Sequence, residues 1–155
     1  PNEKHEIDYI FLTPVEFDKI VDTGGFLEWA QVYGNRYGVP KAPIDDALAK
    51  GQTVVIKTDV QGASTIKKLI SRAIFIFLAP ASMKELEHRL RNRLTESETD
   101  VSLRLRTAKA EMGHQAMFDY TVINHEGELE RTVSKIEAII NKEQEGEQPT
   151  TNPTG

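Results

Sequence analysis

The chain contains no cysteine, so it can build neither a disulfide framework nor a thiolate metal site, and a cytoplasmic setting fits. Its apolar runs stop well short of the ~20 residues that span a bilayer, and no signal-peptide pattern is present. A basic excess is missing too. Nineteen Lys and Arg stand against 24 Asp and Glu, a formal net charge of −5, which argues against a general nucleic-acid binder. An anionic ligand could bind only at a local basic cluster that overrides the field of the whole chain. The four histidines, His5, His88, His114 and His125, show no metal-ligand spacing, and there is no Ser/His/Asp hydrolase signature. The polar opening, residues 1–5, carries no initiator methionine, as expected of a chain that begins inside a larger protein.

What is present suits one soluble globular domain. The 155 residues are 39% hydrophobic and 28% charged, enough apolar material at this length to bury a true core. Residues 8–12 predict a short strand. Thr13-Pro14-Val15-Glu16 then predicts a helix start, with Thr13 as cap, Pro14 at the first helical position and Glu16 closing a capping box. Leu12 and Phe17 stand where a hydrophobic staple would place them, and Gly24-Gly25 stops the helix.

Phe26–Val32 and a segment near Tyr37 predict two strands joined through Gly34-Asn35, antiparallel because so short a link cannot support a parallel crossover. Residues 41–50 predict a helix ended by Gly51. Residues 53–58 predict a mostly buried strand, 60–70 a helix, and 73–78, AIFIFL, a strand covered on both faces. Ser82-x-x-Glu85 opens a helix to about Asn92. A charged connector leads into a long helix over 99–117, then a strand at Tyr120–Asn124 and a helix over 129–141. The alternation after residue 53 predicts a parallel sheet wrapped by helices. Residues 143–155 contain no apolar side chain and read as a disordered tail.

Several residues could carry chemistry. Arg89 and Arg93 lie four apart on one helix face, Arg91 flanks the connector, and Arg104 and Arg106 start the next helix. Guanidinium forks there could close over a polyphosphate. Exposed charge runs of this kind more often form a solvated face, here paired with Glu85, Glu87, Glu96 and Glu98. Glu28, beside Trp29, could accept parallel bonds from guanine N1–H and N2–H2 and so reject adenine, or simply face outward from its strand. Tyr9 and Tyr37 are phenolic donors or core-edge tyrosines. Asp59 follows an apolar run directly, and in open parallel sheets ligands gather beyond the carboxyl ends of strands.

IDYIFLTPVEF, GFLEWAQVYGNRYG, TDVQGA, FIFLAP, HRLRNRLTES, RLRTAKAEM and DYTVIN, in this order, resemble guanylate kinase. The likeness extends over nearly the whole chain up to the tail. It implies an α/β fold, a partial P-loop nucleoside monophosphate kinase core with a parallel sheet flanked by helices, an α+β GMP-binding insertion and a helical lid. The implied domain is 1–142, with the GMP-binding region near 8–52, core at 53–88 and 119–142, and lid at 89–104. The implied reaction moves the γ-phosphoryl of ATP to GMP, giving GDP and ADP, with Mg2+ accompanying ATP. GMP and ATP are then the partners, with no nucleic acid or membrane, and the protein is a monomer or homodimer. Glu28 falls on the glutamate that reads guanine, and Tyr9 and Tyr37 on tyrosines that hold the GMP phosphate. Asp59 matches the acidic residue near metal and GMP. Arg89, Arg93 and Arg104 match arginines that close on the transferring phosphates, and Asn124, in DYTVIN, falls on a nucleotide-binding position.

The departures are specific. Val39 stands where the family usually has Ser or Thr, Lys57 where an acidic residue precedes Asp59 by two, and Leu94 where a glycine is common. No G-x-x-x-x-G-K-[ST] phosphate loop occurs in the 155 residues. The resemblance also implies a strand between 53–58 and 73–78 that this chain lacks. The expectation is therefore an N-terminally incomplete guanylate kinase, inactive on its own. Two alternatives follow: a catalytically silent guanylate-kinase-like module that binds protein partners, and, from Val39, a kinase for another nucleoside monophosphate.

Overall fold

Thr13 opens the first helix, α1 (Pro14–Asp22), as the sequence predicts. Its Oγ1 accepts the Glu16 N–H at 3.3 Å, and Glu16 Oε2 accepts the Thr13 N–H at 2.7 Å. The box satisfies two of the orphan donors of the helix start. The computed structural model describes residues 10–32, 34–92 and 97–146, and the chain divides into two units, Pro1–Ser71 and Arg72–Gly155. Of the strand expected over 8–12, residues 8 and 9 lie outside the described residues and 10–12 form no strand. Ile10 and Phe11 are more than half exposed, so burial gives that segment no drive to pair.

The first unit is built on a hairpin. Strands β1 (Phe26–Val32) and β2 (Asn35–Pro40) pair antiparallel, with Glu28 opposite Val39, Ala30 opposite Tyr37 and Gln31 opposite Arg36. One residue is extra. Phe26 pairs with Pro40 but Glu28 with Val39, so Leu27 is a bulge and Phe26 and Glu28, two apart, turn to opposite faces. Phe26 joins the face that carries Trp29, Arg36 and Gly38. There its ring centroid lies 4.6 Å from that of Phe17 on α1, with Trp29 edge-on to Phe17 at 5.9 Å. Arg36 lies over the Phe17 ring at 4.5 Å and reaches Asp18 at 2.5 Å and the Pro14 carbonyl at 3.0 Å. Burying Phe17 and Phe26 contributes about 1.5–3 kcal/mol each, so this face fastens hairpin to helix.

Helix α2 (Lys41–Ala49) follows β2 directly and buries Ile44. Gly51 supplies the left-handed turn after it (φ +71°). Helix α3 (Val60–Leu69) buries Ala63 and Ile66 and packs on β1. Between them, residues 53–58 form no strand, contrary to their β-branched composition. No described segment pairs with them, and a strand exists only through a ladder partner. Val55 is accordingly 76% exposed, not buried as expected.

In the second unit, β3 (Ile76–Pro80) and β4 (Tyr120–Asn124) are parallel neighbours, Ile76 opposite Tyr120 and Pro80 opposite Asn124. The long link that parallel pairing demands holds α4 (Met83–Asn92), α5 (Glu98–Met112) and a short 3-10 turn, Gln115–Met117. β3 starts three residues later than predicted and is not covered on both faces. Phe75, Phe77 and Ala79 are buried while Ile74 and Leu78 are 44% and 51% exposed, the period-2 pattern of a strand with one packed side. Helix α5 begins at Ser97, which forms its own capping box with Asp100, and ends at Gly113 rather than running to 117. Helix α6 (Leu129–Gly146) outruns its predicted end at 141, so residues 143–146 of the expected tail are helical. Glu143 explains part of this: it accepts the Tyr120 hydroxyl, which Lys142 also contacts at 3.2 Å. The rest of the expected tail, 147–155, lies outside the described residues.

Two stability predictions follow from this packing. A Cβ at Gly38 would sit 2.7 Å from the Phe26 ring, so Gly38→Ala is expected to cost about 1–3 kcal/mol in urea unfolding; an unchanged midpoint would contradict the packing. The second concerns pH. The Thr13 hydroxyl and backbone hold the Glu16 carboxyl below its ordinary range, so their contribution is present above that range and fades as the pH falls through the depressed value. Thr13→Ala should therefore destabilise most near neutral pH and less in acid, a trend that unfolding at a series of pH values would reveal or refute.

Candidate functional site

Four residues of the first unit meet beside β1. The bulge aims Glu28 to the face that carries Val39, Ala30 and Tyr37, away from the aromatic cluster. Its Oε1 accepts the Thr58 Oγ1–H at 3.1 Å. Immediately after Thr58, Asp59 takes an extended conformation (φ −81°, ψ 178°) and caps α3, its Oδ1 accepting the Gly62 N–H at 2.8 Å. Gly62 is where strand and helix come closest: a Cβ there would lie 2.0 Å from Thr58 Oγ1 and 2.8 Å from Glu28 Oε1. The contact requires a residue without a side chain. A carboxylate, a hydroxyl and the first turn of a helix are thereby held within one small volume, with helix N–H groups favouring negative charge nearby.

Tyr37 lies on the Glu28 face of the hairpin, opposite Ala30, and is 45% exposed. Val39, directly across from Glu28, brings no polar atom to that face. Lys57 is on the exposed side of an alternation in which Val54, Ile56 and Thr58 are half-buried and Val55, Lys57 and Asp59 exposed. Tyr9 lies outside the described residues. The structure thus brings Glu28 and Asp59 together, through Thr58 and Gly62. Sequence reading passed over Thr58. The only available signal was a polar residue on the inward phase of an otherwise β-branched run.

The second unit carries the arginines and Asn124. Along α4 two arginines with similar surroundings in sequence fare differently. Arg91 donates to Glu87 at 3.0 and 3.1 Å and to Glu98 on α5; Glu98 first and then Glu87 hold its guanidinium above the ordinary range. This is the paired, solvated face that the charge pattern allowed. Arg89 is half-buried, and its Nε is enclosed with no hydrogen-bond partner among the described residues, an unsatisfied donor there. Arg104 is exposed on α5, where its charge helps Ser97 hold Asp100 low. Arg93 lies outside the described residues, as does Leu94.

Asn124 ends β4 at the carboxyl edge of the parallel pair. The hydroxyl of Thr132, a buried threonine of α6, lies 3.2 Å from both Asn124 Oδ1 and the Glu128 carbonyl, which share its one proton. Nearby, Glu85 Oε1 accepts the Glu126 N–H at 2.7 Å and His88 meets Glu126 at 3.1 Å, tying α4 to the turn after β4. Ser82 caps α4 by accepting the Glu85 N–H, but Glu85 is spent on Glu126 rather than closing the expected box. Among the described residues, no group of three or more His, Asp or Glu converges as a metal cage would, and no helix is long and apolar enough to cross a membrane.

Known proteins resemble this chain along nearly all of it. The family model for guanylate kinase matches residues 1–143. A guanylate kinase of Polaromonas is 41% identical over 138 residues, covering 89% of this chain and 66% of its own length. One from Cutibacterium acnes is 46% identical over 125 residues, covering 80% and 63%. The chain therefore spans just under two-thirds of these relatives. Among solved structures, guanylate kinase from Anaplasma phagocytophilum superposes with a TM-score of 0.77 at 31% identity, over 96% of this chain and 70% of that one. With the family model matched across all but the last dozen residues and the α/β architecture shared, the chain belongs to the guanylate kinase family.

Proposed function

We propose that the whole protein transfers the γ-phosphoryl group of ATP to GMP, and that this chain supplies acceptor recognition and charge neutralisation. The observation that carries the reading is the Glu28 carboxylate, fixed by Thr58 over a glycine that leaves it room. A carboxylate held in one plane can accept guanine N1–H and N2–H2 side by side. Adenine offers no such donor pair, and leaving a half-buried carboxylate unmatched costs about 1–3 kcal/mol. Tyr37, on the same hairpin face, donates its hydroxyl to the GMP phosphate, and Tyr9 is assigned the same part. Asn124 is assigned to the nucleotide of the other side.

Phosphoryl transfer leaves little covalent work for protein groups. The barrier falls through positioning and through charge placed where it develops. Arg89, Arg93 and Arg104 are assigned that role. Arg89 suits it because its guanidinium is not already tied at Nε, whereas Arg91 is committed to two carboxylates. The donor phosphates need a further cradle, since these 155 residues hold no G-x-x-x-x-G-K-[ST] run. Mg2+ fits the donor set: it keeps several waters and is held by substrate phosphates with one or two carboxylates, and Asp59 is the carboxylate at the acceptor site. When bound, Mg2+ would neutralise phosphate charge. Asp59 itself orders the first turn of α3, and that much is independent of the metal.

Two measurements test the assignment. In calorimetric titration the unmodified protein should prefer GMP to AMP, and Glu28→Ala should lose roughly 10- to 100-fold in GMP affinity. Equal affinity of the unmodified protein for both nucleotides would defeat the guanine-reading role. For Arg89→Met, kcat is expected to fall by about 10²–10³-fold with GMP binding little changed, whereas a loss confined to KM would assign Arg89 to binding instead.

A further inference from the structure

We infer that Thr58 is a positioning residue that sets base specificity, acting through Glu28; the inference rests on the guanine-reading role proposed for that glutamate. A glutamate on a strand has three rotatable side-chain bonds, and parallel acceptance of two donors demands one carboxylate plane. Something must hold that plane before the base arrives. Neither Val39 nor Lys57 does so. Val39, directly across the hairpin from Glu28, offers only methyl groups, and Lys57 is exposed, on the opposite phase of its segment from Thr58.

Thr58 has the required attributes. Its hydroxyl donates to Glu28 Oε1 at 3.1 Å in a part-buried setting, and its β-branched side chain is stiff at χ1. It directly precedes Asp59, whose bond to the Gly62 N–H fixes the entry into α3, so the hydroxyl is carried on an anchored backbone. An ionised carboxylate has about four lone-pair sites. One bond from Thr58 therefore orients the group and leaves acceptor capacity for both guanine donors. Gly62 completes the device: any Cβ would fall 2.0 Å from the hydroxyl and 2.8 Å from the carboxylate oxygen, displacing the pair.

Hypoxanthine separates positioning from mere attraction. IMP keeps the N1–H but lacks the 2-amino group, so the GMP-to-IMP affinity ratio reports whether the carboxylate meets both donors. The experiment titrates the whole protein with GMP, IMP, AMP and ribose 5-phosphate, for the unmodified protein, Thr58→Val, Thr58→Ser, Glu28→Gln and the Thr58→Val/Glu28→Gln pair. Thr58→Val is expected to weaken GMP about tenfold and IMP less, shrinking their ratio, while Thr58→Ser restores both. On the Glu28→Gln background the same change should add no more than about twofold, as for two residues acting as one unit. Ribose 5-phosphate, which has no base, should bind all variants alike.

The outcomes are separable. An unmodified protein that binds GMP and AMP alike overturns the base-reading role and this inference with it. A protein that prefers GMP but loses nothing in Thr58→Val overturns the Thr58 role alone. So does a Thr58→Val variant that loses ribose 5-phosphate to the same degree as GMP, since its defect would then be structural. Additive losses in the double variant would likewise place Thr58 outside Glu28's action.

Discussion

The approach of α3 to β1 at Gly62 is the contact on which the acceptor side depends. Closing to the point where a Cβ would overlap both Thr58 and Glu28 packs the strand and the helix start directly together. Three consequences share that constraint. The Asp59 carboxylate caps α3 at the Gly62 N–H; Thr58 reaches Glu28; and the Glu28 carboxylate fills space that a Cβ at Gly62 would enter. A strand carboxylate is otherwise an expensive choice, because desolvation without partners costs more than most packing returns. Here the half-buried position is tolerable because a hydroxyl and a helix start surround it.

The same hairpin has to be held from behind. Its other face is apolar, locked to α1 by Phe17, Phe26 and Trp29 and covered by Arg36. The Leu27 bulge separates the two jobs. Without the extra residue, Phe26 and Glu28 would fall on one face, and either the ring would leave the core or the carboxylate would enter it. Bulges beside functional sites re-aim side chains in this way. Gly38 then serves the apolar face as Gly62 serves the polar one, by giving a ring and a carboxylate, respectively, room that a methyl group would fill.

What the sequence made legible is what local chemistry decides. The α1 capping box, the antiparallel hairpin, the glycine after α2, the family likeness and β4 all depend on residues a few positions apart, or on motifs read in order. Residues 53–58 show the opposite case. Valine and isoleucine mark a segment that could pair, but pairing needs an edge, and none of the described segments supplies one. The AIFIFL segment departs from its expected two-sided burial for the same reason, since coverage of a second face is a property of neighbours. Helix α6 outruns its expected end in part because Glu143 gains the Tyr120 hydroxyl, a contact 23 residues away that no periodicity reveals. Within the site, Glu28 and Asp59 were visible as types, but the bulge and the Thr58 bond that bring them together were not.

The arginines of α4 carry this distinction furthest. Arg89 and Arg91 sit two apart in one charge-rich run, and composition cannot rank them. On a helix, however, residues two apart face different directions. Arg91 finds Glu87 four residues back and Glu98 on the next helix, and those two carboxylates fix it in place. Arg89 projects elsewhere, and its Nε is enclosed and meets no acceptor among the described residues. Carboxylates already occupy a donor on each of the three nitrogens of the Arg91 guanidinium, so a phosphate would have to compete with them, whereas an unsatisfied donor gains a bond on meeting an acceptor. The helical period, rather than the abundance of arginine, therefore separates an Arg91 paired with carboxylates from an Arg89 whose Nε is unpaired among the described residues.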